Sequence, residues 1–396
     1  MSDVPWLTII GIGEDGVAGL SDASQAALAR AEVVMGPPRH LGLIPDGAPQ
    51  QIAWPVPFAD GLKMLDDLRG QRVVVLASGD PFWFGAGSVI ARRYAASEWV
   101  AHPGPSCFAL AAAQLGWALE NTICLGLHAA RMPQMLRHLA PKTRLIVTLR
   151  DGVAVTDLTD YLHACGFGGS AVTVFEHLGG PAQRMTSGRA DTLSGGFDHP
   201  VCAAIDVAGD GPALTTATGQ ADGTFASDGQ ITKRPVRAIT LSTLAPKPHE
   251  HLWDIGGGSG SIALEWVLSH PTTRATCIEH RTDRAARIRQ NSIDLGVEHR
   301  LTVIEGAAPD ALGDLDTPDA IFIGGGLGQA TLNAAIAQGV RVVVNAVTLE
   351  GEAILSAAHA THGGDLLRIA LSNATPLGPK RGWSSAYPVV QWSFVP

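Results

Sequence analysis

The sequence is short of charge. Asp, Glu, Lys and Arg make up 16% of its 396 residues against 46% apolar, a balance that leaves little for disordered tails and points to folded, Ala- and Gly-rich α/β material. It is also short of long hydrophobic runs. None approaches the roughly 20 residues that cross a bilayer, and the start, MSDVPW, lacks the basic residues and apolar centre of a signal peptide. A cytoplasmic chain with no membrane partner is expected. Cysteine is scarce and scattered: Cys107, Cys124, Cys165, Cys202 and Cys277 form no CxxC pair and have no histidine at zinc-ligand spacing. No metal site is expected, and the thiols read as structural or weakly reactive. Basic residues number 28 against 37 acidic, and the net charge of −9 argues against bulk attraction to nucleic acid. A local basic pocket for an acidic small molecule stays open. No catalytic triad is evident.

What is present is alternation. At about 150 residues per domain the length fits two domains. From residue 7 to 208, β-like runs such as LTIIGIG, EVVMG, RVVVLASGD, RLIVTL, AVTVFEHL and VCAAIDVA alternate with amphipathic stretches such as LSDASQAALARA, which predicts a layered α/β domain. Residues 209 to 229 change character, being rich in Gly, Thr, Asp and Ala. A second α/β pattern follows, with HLWDIGGG, ATCIEH, LTVIEG, DAIFIGGG and VRVVVNAV as its strands. The predicted domains are 1–208 and 229–396, joined by a linker over 209–228.

The first strand drops into Gly11, Gly13 and Gly16, which matches the GxGxxG of dinucleotide sites. That mechanism needs the helix to begin at the third glycine, where its N-terminus meets a pyrophosphate. Here the natural N-cap is Ser21, and the next strand, VVMG, ends at Gly36 with no carboxylate for a ribose. The dinucleotide reading fails twice.

In the second half, Asp254 precedes Gly256, Gly258 and Gly260, and Glu279 ends the next strand about 20 residues on, where a carboxylate accepts ribose hydroxyls. A third strand ends in Glu305-Gly306-Ala307-Ala308, a small-residue edge suited to an adenine face. Gly258 to Ala263 also fits GxGxxA, so the turn alone leaves a nicotinamide-dependent oxidoreductase open. An acid ahead of the glycines suits a cationic ligand such as S-adenosylmethionine better than a pyrophosphate.

At GQITKRPVRA (229–238), WDIGGGSGSIALEW (253–266), APDAL (308–312) and IGGG (323–326), the chain resembles the decarboxylating methyltransferase family of cobalamin biosynthesis, a class I methyltransferase fold. The resemblance covers 225–396. It implies cofactor contacts at Thr232, at Gly256, Gly257, Gly258, Ser259 and Gly260, at Glu279 and at Ala308. Pro235 and Ala307 depart from the family's usual Glu and Asp, so adenine recognition falls to backbone groups. By chemistry alone Thr232 serves equally as the N-cap of the following helix.

In the first half, Gly79-Asp80-Pro81, HPGPSCFALAAAQLG (102–116) and VFEHLGGP (174–181) follow the GIG turn in an order that resembles the tetrapyrrole methylase family. That family pairs two small α/β lobes around a cleft for S-adenosylmethionine and a porphyrin-like ring. GPPRHL (36–41) resembles the branch acting on a bridging carbon of a precorrin. The resemblance implies cofactor contacts at Gly13, Gly79, Asp80, Pro81, Ser106 and Cys107. Phe84 and Cys107 replace a frequent Tyr or His and a Ser or Thr.

Together the resemblances imply a bifunctional enzyme that methylates a precorrin-6 type ring at carbons 5 and 15 and removes CO₂ from the ring C acetate, with one S-adenosylmethionine per domain. Another tetrapyrrole branch is the alternative. The implied partner is a polycarboxylate tetrapyrrole, and a homo-oligomer is expected. Candidates for its carboxylates are Arg39 and Arg150 in the first domain and Lys233, Arg237, Lys380 and Arg381 in the second, with Lys233 foremost. Taken singly, each reads more readily as a solvated surface charge. His40, His128, His251 and His280 receive no catalytic role.

Overall fold

The computed structural model describes residues 5–45 and 49–396. The chain forms two compact units. One takes in the chain up to Met132 together with His138–Pro212, and the other takes in Pro133–Arg137 and Ala213–Pro396.

The first unit holds two five-stranded sheets. The first is wholly parallel, with β1 (Leu7–Ile12), β2 (Val33–Gly36), β3 (Gln50–Ala53), β4 (Val73–Ser78) and β5 (Trp99–His102) in the order β3-β2-β4-β1-β5. Its central strands are continuous apolar runs because both faces are covered. Side chains alternate between the faces. Leu7, Ile9, Val33, Met35, Val73 and Val75 pack on one side with Leu65, Ile90 and Tyr94, while Ile10, Ile12, Val34, Val74 and Leu76 pack on the other with Leu20 and Leu28. The second sheet is mixed, with β6 (Thr122–Gly126), β7 (Arg144–Leu149), β8 (Ala171–Glu176), β9 (Arg184–Arg189) and β10 (Val201–Asp206) in the order β6-β7-β10-β8-β9. Only β6 and β7 run parallel.

The late helix expected after the GIG turn is present. A 3-10 turn spans Gly16–Gly19, and the α-helix Asp22–Arg30 follows, with Ser21 as N-cap accepting from Ser24 N at 3.2 Å.

The second unit carries a seven-stranded sheet in the order β13-β12-β11-β14-β15-β19-β16. Its strands are β11 (His251–Ile255), β12 (Arg274–Glu279), β13 (Leu301–Glu305), β14 (Ala320–Ile323), β15 (Arg341–Ala346), β16 (Asp365–Ile369) and β19 (Val389–Phe394). The five from β13 to β15 are parallel, and β19 pairs antiparallel with both β15 and β16. Between β16 and β19 in sequence, β17 (Ser372–Leu377) and β18 (Lys380–Ser385) form a separate hairpin.

The stretch read as a linker divides. Its later part is packed: Gln220 and Phe225 are buried, the backbone N–H groups of Gly219 and Gln220 donate to Glu265 at 2.6 and 2.9 Å, and Phe225 joins the second unit's core. Composition could not show this, since the packing uses backbone donors and one aromatic ring.

Candidate functional site

In the first unit the sheet register brings the predicted turns side by side. Leu7 pairs with Val73 and Ile12 with Ser78, so the residues after β1 and β4 emerge together at the carboxyl edge. Gly79 N donates to Ile12 O and Gly104 N to Gly79 O, each at 3.0 Å. A Cβ on Gly11 would overlap the Gly79 carbonyl oxygen and lie 2.6 Å from Gly104 N. Only glycine permits three backbones to meet this closely.

Beside this floor opens a cleft of about 880 Å³, lined by Gly13, Gly79, Asp80, Ser106 and Cys107 and by both Arg39 and Arg150. Ser106 caps the helix Cys107–Leu115, its Oγ accepting from Ala109 N at 3.2 Å. Asp80 closes its own turn, Oδ1 accepting from Phe82 N at 2.8 Å. Pro81 is the exception. It is buried behind the loop against Gly85 and Gly87 and forms no part of the cleft wall, because the turn that presents Asp80 directs the next residue inward. Exposed Trp83 and Phe84 flank Phe108, with ring centroids 5.0 and 5.9 Å away. These rings give the cleft flat apolar walls.

Sequence reasoning missed the polar cluster beneath Arg39. Its guanidinium pairs with Glu14, whose other oxygen lies 3.1 Å from His177 Nδ1. Arg39 also donates to Ser78 Oγ at 3.0 Å, and His40 Nε2 lies 2.9 Å from that oxygen. Burial, helped by Arg39, lowers the His40 pKa to about 4, so the ring is neutral. Arg150 forms an exposed pair with Asp151 at 2.8 Å. Glu14 stands in the EDG of the first turn, but nothing in its sequence neighbourhood indicates partners 25 and 163 residues away.

In the second unit the glycine turn follows β11. Gly256 N donates to Ile278 O at 2.9 Å, and Gly324 N to Ile255 O at 3.0 Å. A Cβ on Gly256 would lie 2.5 Å from Gly325 Cα, so the IGGG segment is the turn's packing partner. Gly257 abuts the Cys277 thiol, and Gly258 faces open space. Gly260 caps the helix Ser261–Ser269, and Asn291 Nδ2 donates to Ser259 O at 3.0 Å. Glu279 is buried, its Oε2 accepting from Gly258 N at 2.8 Å and its Oε1 from Arg281 N at 2.9 Å. Ala308 follows β13, its carbonyl accepting from Thr331 Oγ1 at 3.3 Å.

Asp254 lies under this turn, fully buried. Its Oδ2 accepts from Ala263 N at 3.0 Å, and its Oδ1 has no partner among the described residues. Burial pushes the carboxyl up to about 7; the Ala263 bond opposes the rise and the Glu279 carboxylate adds to it. A buried acid with an unsatisfied oxygen fits a ligand that brings positive charge.

The arm carrying Thr232 lies over the turn. Asn291 Nδ2 bridges Ala226 O and Ser259 O, and Arg284 holds Asp228 and Gln230 at 2.9 and 2.7 Å. Thr232 is not the helix N-cap: the helix Arg234–Leu244 takes Lys233 in that position. Lys233 is itself exposed, 4.0 Å from Asp222.

Arg237 is corrected outright. It is 0% exposed, with Nε 2.5 Å from Glu265 and NH1 3.1 Å from Asp222, and it donates to the carbonyls of Thr232 and Gln220 with its guanidinium over the Phe225 ring. Four of its five N–H donors are spent inside the unit, and the side chain does not reach the surface. Lys380 and Arg381 stand on the exposed β17–β18 hairpin, and no hydrogen bond or ion pair joins either side chain to another described residue. The structure does not bring them to the glycine turn.

Fold and sites together define a methyltransferase with two separately built units. Two family models cover it in tandem: tetrapyrrole (corrin/porphyrin) methylases over residues 6–194 and the precorrin methyltransferase domain over 223–396. The precorrin-6Y C(5,15)-methyltransferase [decarboxylating] of a Sinorhizobium species is 48% identical over 98% of this chain and 96% of its own. The protein of that name from Mycobacterium tuberculosis is 37% identical over 98% and 99%. A solved C-terminal domain of precorrin-6Y C5,15-methyltransferase from Rhodobacter capsulatus is 49% identical, covering 46% of this chain and 98% of that one, with a TM-score of 0.44. The chain belongs to the decarboxylating precorrin-6Y C(5,15)-methyltransferase family. Its members are enzymes of cobalamin biosynthesis, and the methyltransferase chemistry uses S-adenosylmethionine. Among the described residues no helix is long and apolar enough to cross a membrane.

Proposed function

We propose that the first unit methylates carbon 5 of a precorrin-6 type tetrapyrrole, and that the second methylates carbon 15 and releases the ring C acetate as CO₂. Each unit holds one S-adenosylmethionine, which when bound supplies an electrophilic methyl on a sulfonium. The observation that carries this reading is the presence of two unlike sites in one chain: a cleft lined by Gly13, Gly79, Ser106 and Cys107, and a glycine turn bounded by Glu279 and Asp254.

The residues fit their tasks. Bridging carbons of a reduced tetrapyrrole are enamine-like nucleophiles, so the protein positions the ring and supplies no strong base to generate the nucleophile. In the first unit Trp83 and Phe84 offer apolar area to a flat ring, and Arg150 and the Glu14-tethered Arg39 face its carboxylates. In the second, Asp254 and Glu279 hold charge toward the donor's cationic end and its ribose, with Thr232 and Ala308 beside them. Lys233, exposed on the arm beside the turn, is the cation for substrate carboxylates there. The conjugated ring accepts the electrons as CO₂ departs. The active chain is a homo-oligomer in this reading, which light scattering tests.

Calorimetric titration of the intact chain with S-adenosylhomocysteine should give two sites. One site, or micromolar binding of NADH alone, counts against the reading. Mass spectrometry after incubation with a precorrin-6 substrate and the methyl donor should show two methyl gains and one CO₂ loss.

A further inference from the structure

Replacing hydrogen by methyl at a bridging carbon sets that hydrogen free as a proton. The carbon gives an electron pair to the incoming methyl, the sulfur keeps the pair of the bond that breaks, and the C–H pair returns to the conjugated ring as the proton leaves. A base in the cleft wall has to receive it.

Most titratable groups in the wall are committed. Arg39 and Arg150 are donors only. Glu14 is tied to Arg39 and His177. Asp80 spends one oxygen on Phe82 N, and a carboxylate is a weaker proton acceptor than an imidazole. His40 is 3% exposed, its Nε2 held between Arg39 and Ser78. Two cleft histidines remain, His128 and His199.

Their surroundings differ. His128 has Nδ1 2.8 Å from Thr148 Oγ1, and burial alone lowers its pKa, with no carboxylate acting on it. No hydrogen bond ties up the His199 ring among the described residues. His199 is solvent-exposed at the cleft wall; partial desolvation first, then the Arg39 charge, lower its pKa, while the Glu14 and Asp151 carboxylates act the other way and His177 adds to the lowering. With no hydrogen bond on its ring, His199 is free to accept a proton, and the Glu14 and Asp151 carboxylates offset part of the Arg39 charge when the imidazolium forms.

We propose that His199 is the catalytic base of the first unit, taking the bridging-carbon proton onto its unprotonated ring nitrogen. This rests on the reading that the first unit methylates carbon 5.

The test uses the full chain carrying His199→Gln. With a precorrin-6 substrate and the methyl donor, the product should show one methyl gain and one CO₂ loss from the second unit, and the first methylation should slow about 100-fold. S-adenosylhomocysteine should still fill two sites. Without any methyl donor, wild-type chain in D₂O should exchange the carbon 5 hydrogen, and the variant should do so at least about tenfold more slowly. Imidazole should restore both rates in His199→Ala. A first methylation within about threefold of wild type, unchanged exchange, or loss of a cofactor site in the variant would each overturn the proposal. A wild-type chain that adds no methyl at carbon 5 strikes the parent reading, and the proposal with it.

Discussion

Glu279 accepts the backbone N–H of Gly258 at 2.8 Å, so the carboxylate at the end of one strand sets the shape of the turn that ends its neighbour. Glu279→Ala removes this bond and leaves a donor without its partner, at a cost of about 1–3 kcal/mol to the second unit. Carbon 15 methylation and CO₂ release should be lost while carbon 5 methylation persists. Product masses check this, and loss of all three activities would show that the units are not independent.

Two glycines of the turn should respond differently. At Gly256 (φ +73°) a side chain would meet Gly325, and at Gly258 (φ +59°) nothing stands closer than 4.0 Å. Gly256→Ala adds a backbone clash to the left-handed penalty of about 1–2 kcal/mol and should unfold the second unit at a lower temperature. Gly258→Ala should incur only that penalty and keep the fold. Its Cβ enters the space left for a ligand, so calorimetry should record weaker binding of S-adenosylhomocysteine.

Arg237→Met should destabilise the second unit by about 3–5 kcal/mol, the range for breaking a buried ion pair from one side, because Glu265 stays buried without its partner. Denaturant melts read this directly. A variant of unchanged stability with a raised substrate KM would restore Arg237 as a substrate ligand.

The two units should answer acid in opposite senses. Asp254 has its folded pKa raised to about 7, so its contribution to stability is fully present below the unfolded value near 3.8 and is lost as pH rises through 7. His40 has its pKa lowered to about 4, so its contribution is present above 6.5 and is lost as pH falls through 4. In calorimetric melts, Asp254→Asn should flatten the second unit's decline between pH 4 and 7, and His40→Gln should flatten the first unit's loss below pH 6.5. Binding of S-adenosylhomocysteine to the second unit should tighten as pH rises through 7, as the carboxylate ionises toward the ligand's ammonium. Asp254→Asn should abolish that rise.

Local signals were legible. Ser21, the glycines of both turns and the strand-ending Glu279 announce themselves because each sits in a short local pattern, a cap before a helix, a glycine turn after an apolar run or an acid ending a strand, whatever distant partner it then meets. What stayed hidden depends on distant partners. Arg237 looks like a surface cation beside the arm, and only Glu265, 28 residues later, makes it a buried brace. Glu14 and His199 reach one cleft from opposite ends of the first unit's sequence, with His177 bound to Glu14 behind them, and no spacing rule connects the three. Phe225 was masked by polar neighbours, although it is the aromatic that seats the supposed linker on the second core.

The junction beside the first cleft, where Gly11, Gly79 and Gly104 touch, is made of peptide groups. A contact this close leaves no room for a side chain, so engineering of this unit acts on the cleft walls around it. If the first unit acts as proposed, redirecting it to a differently decorated ring means recasting Trp83, Phe84 and the Arg39 tether, while the backbone junction at Gly79 carries over unchanged.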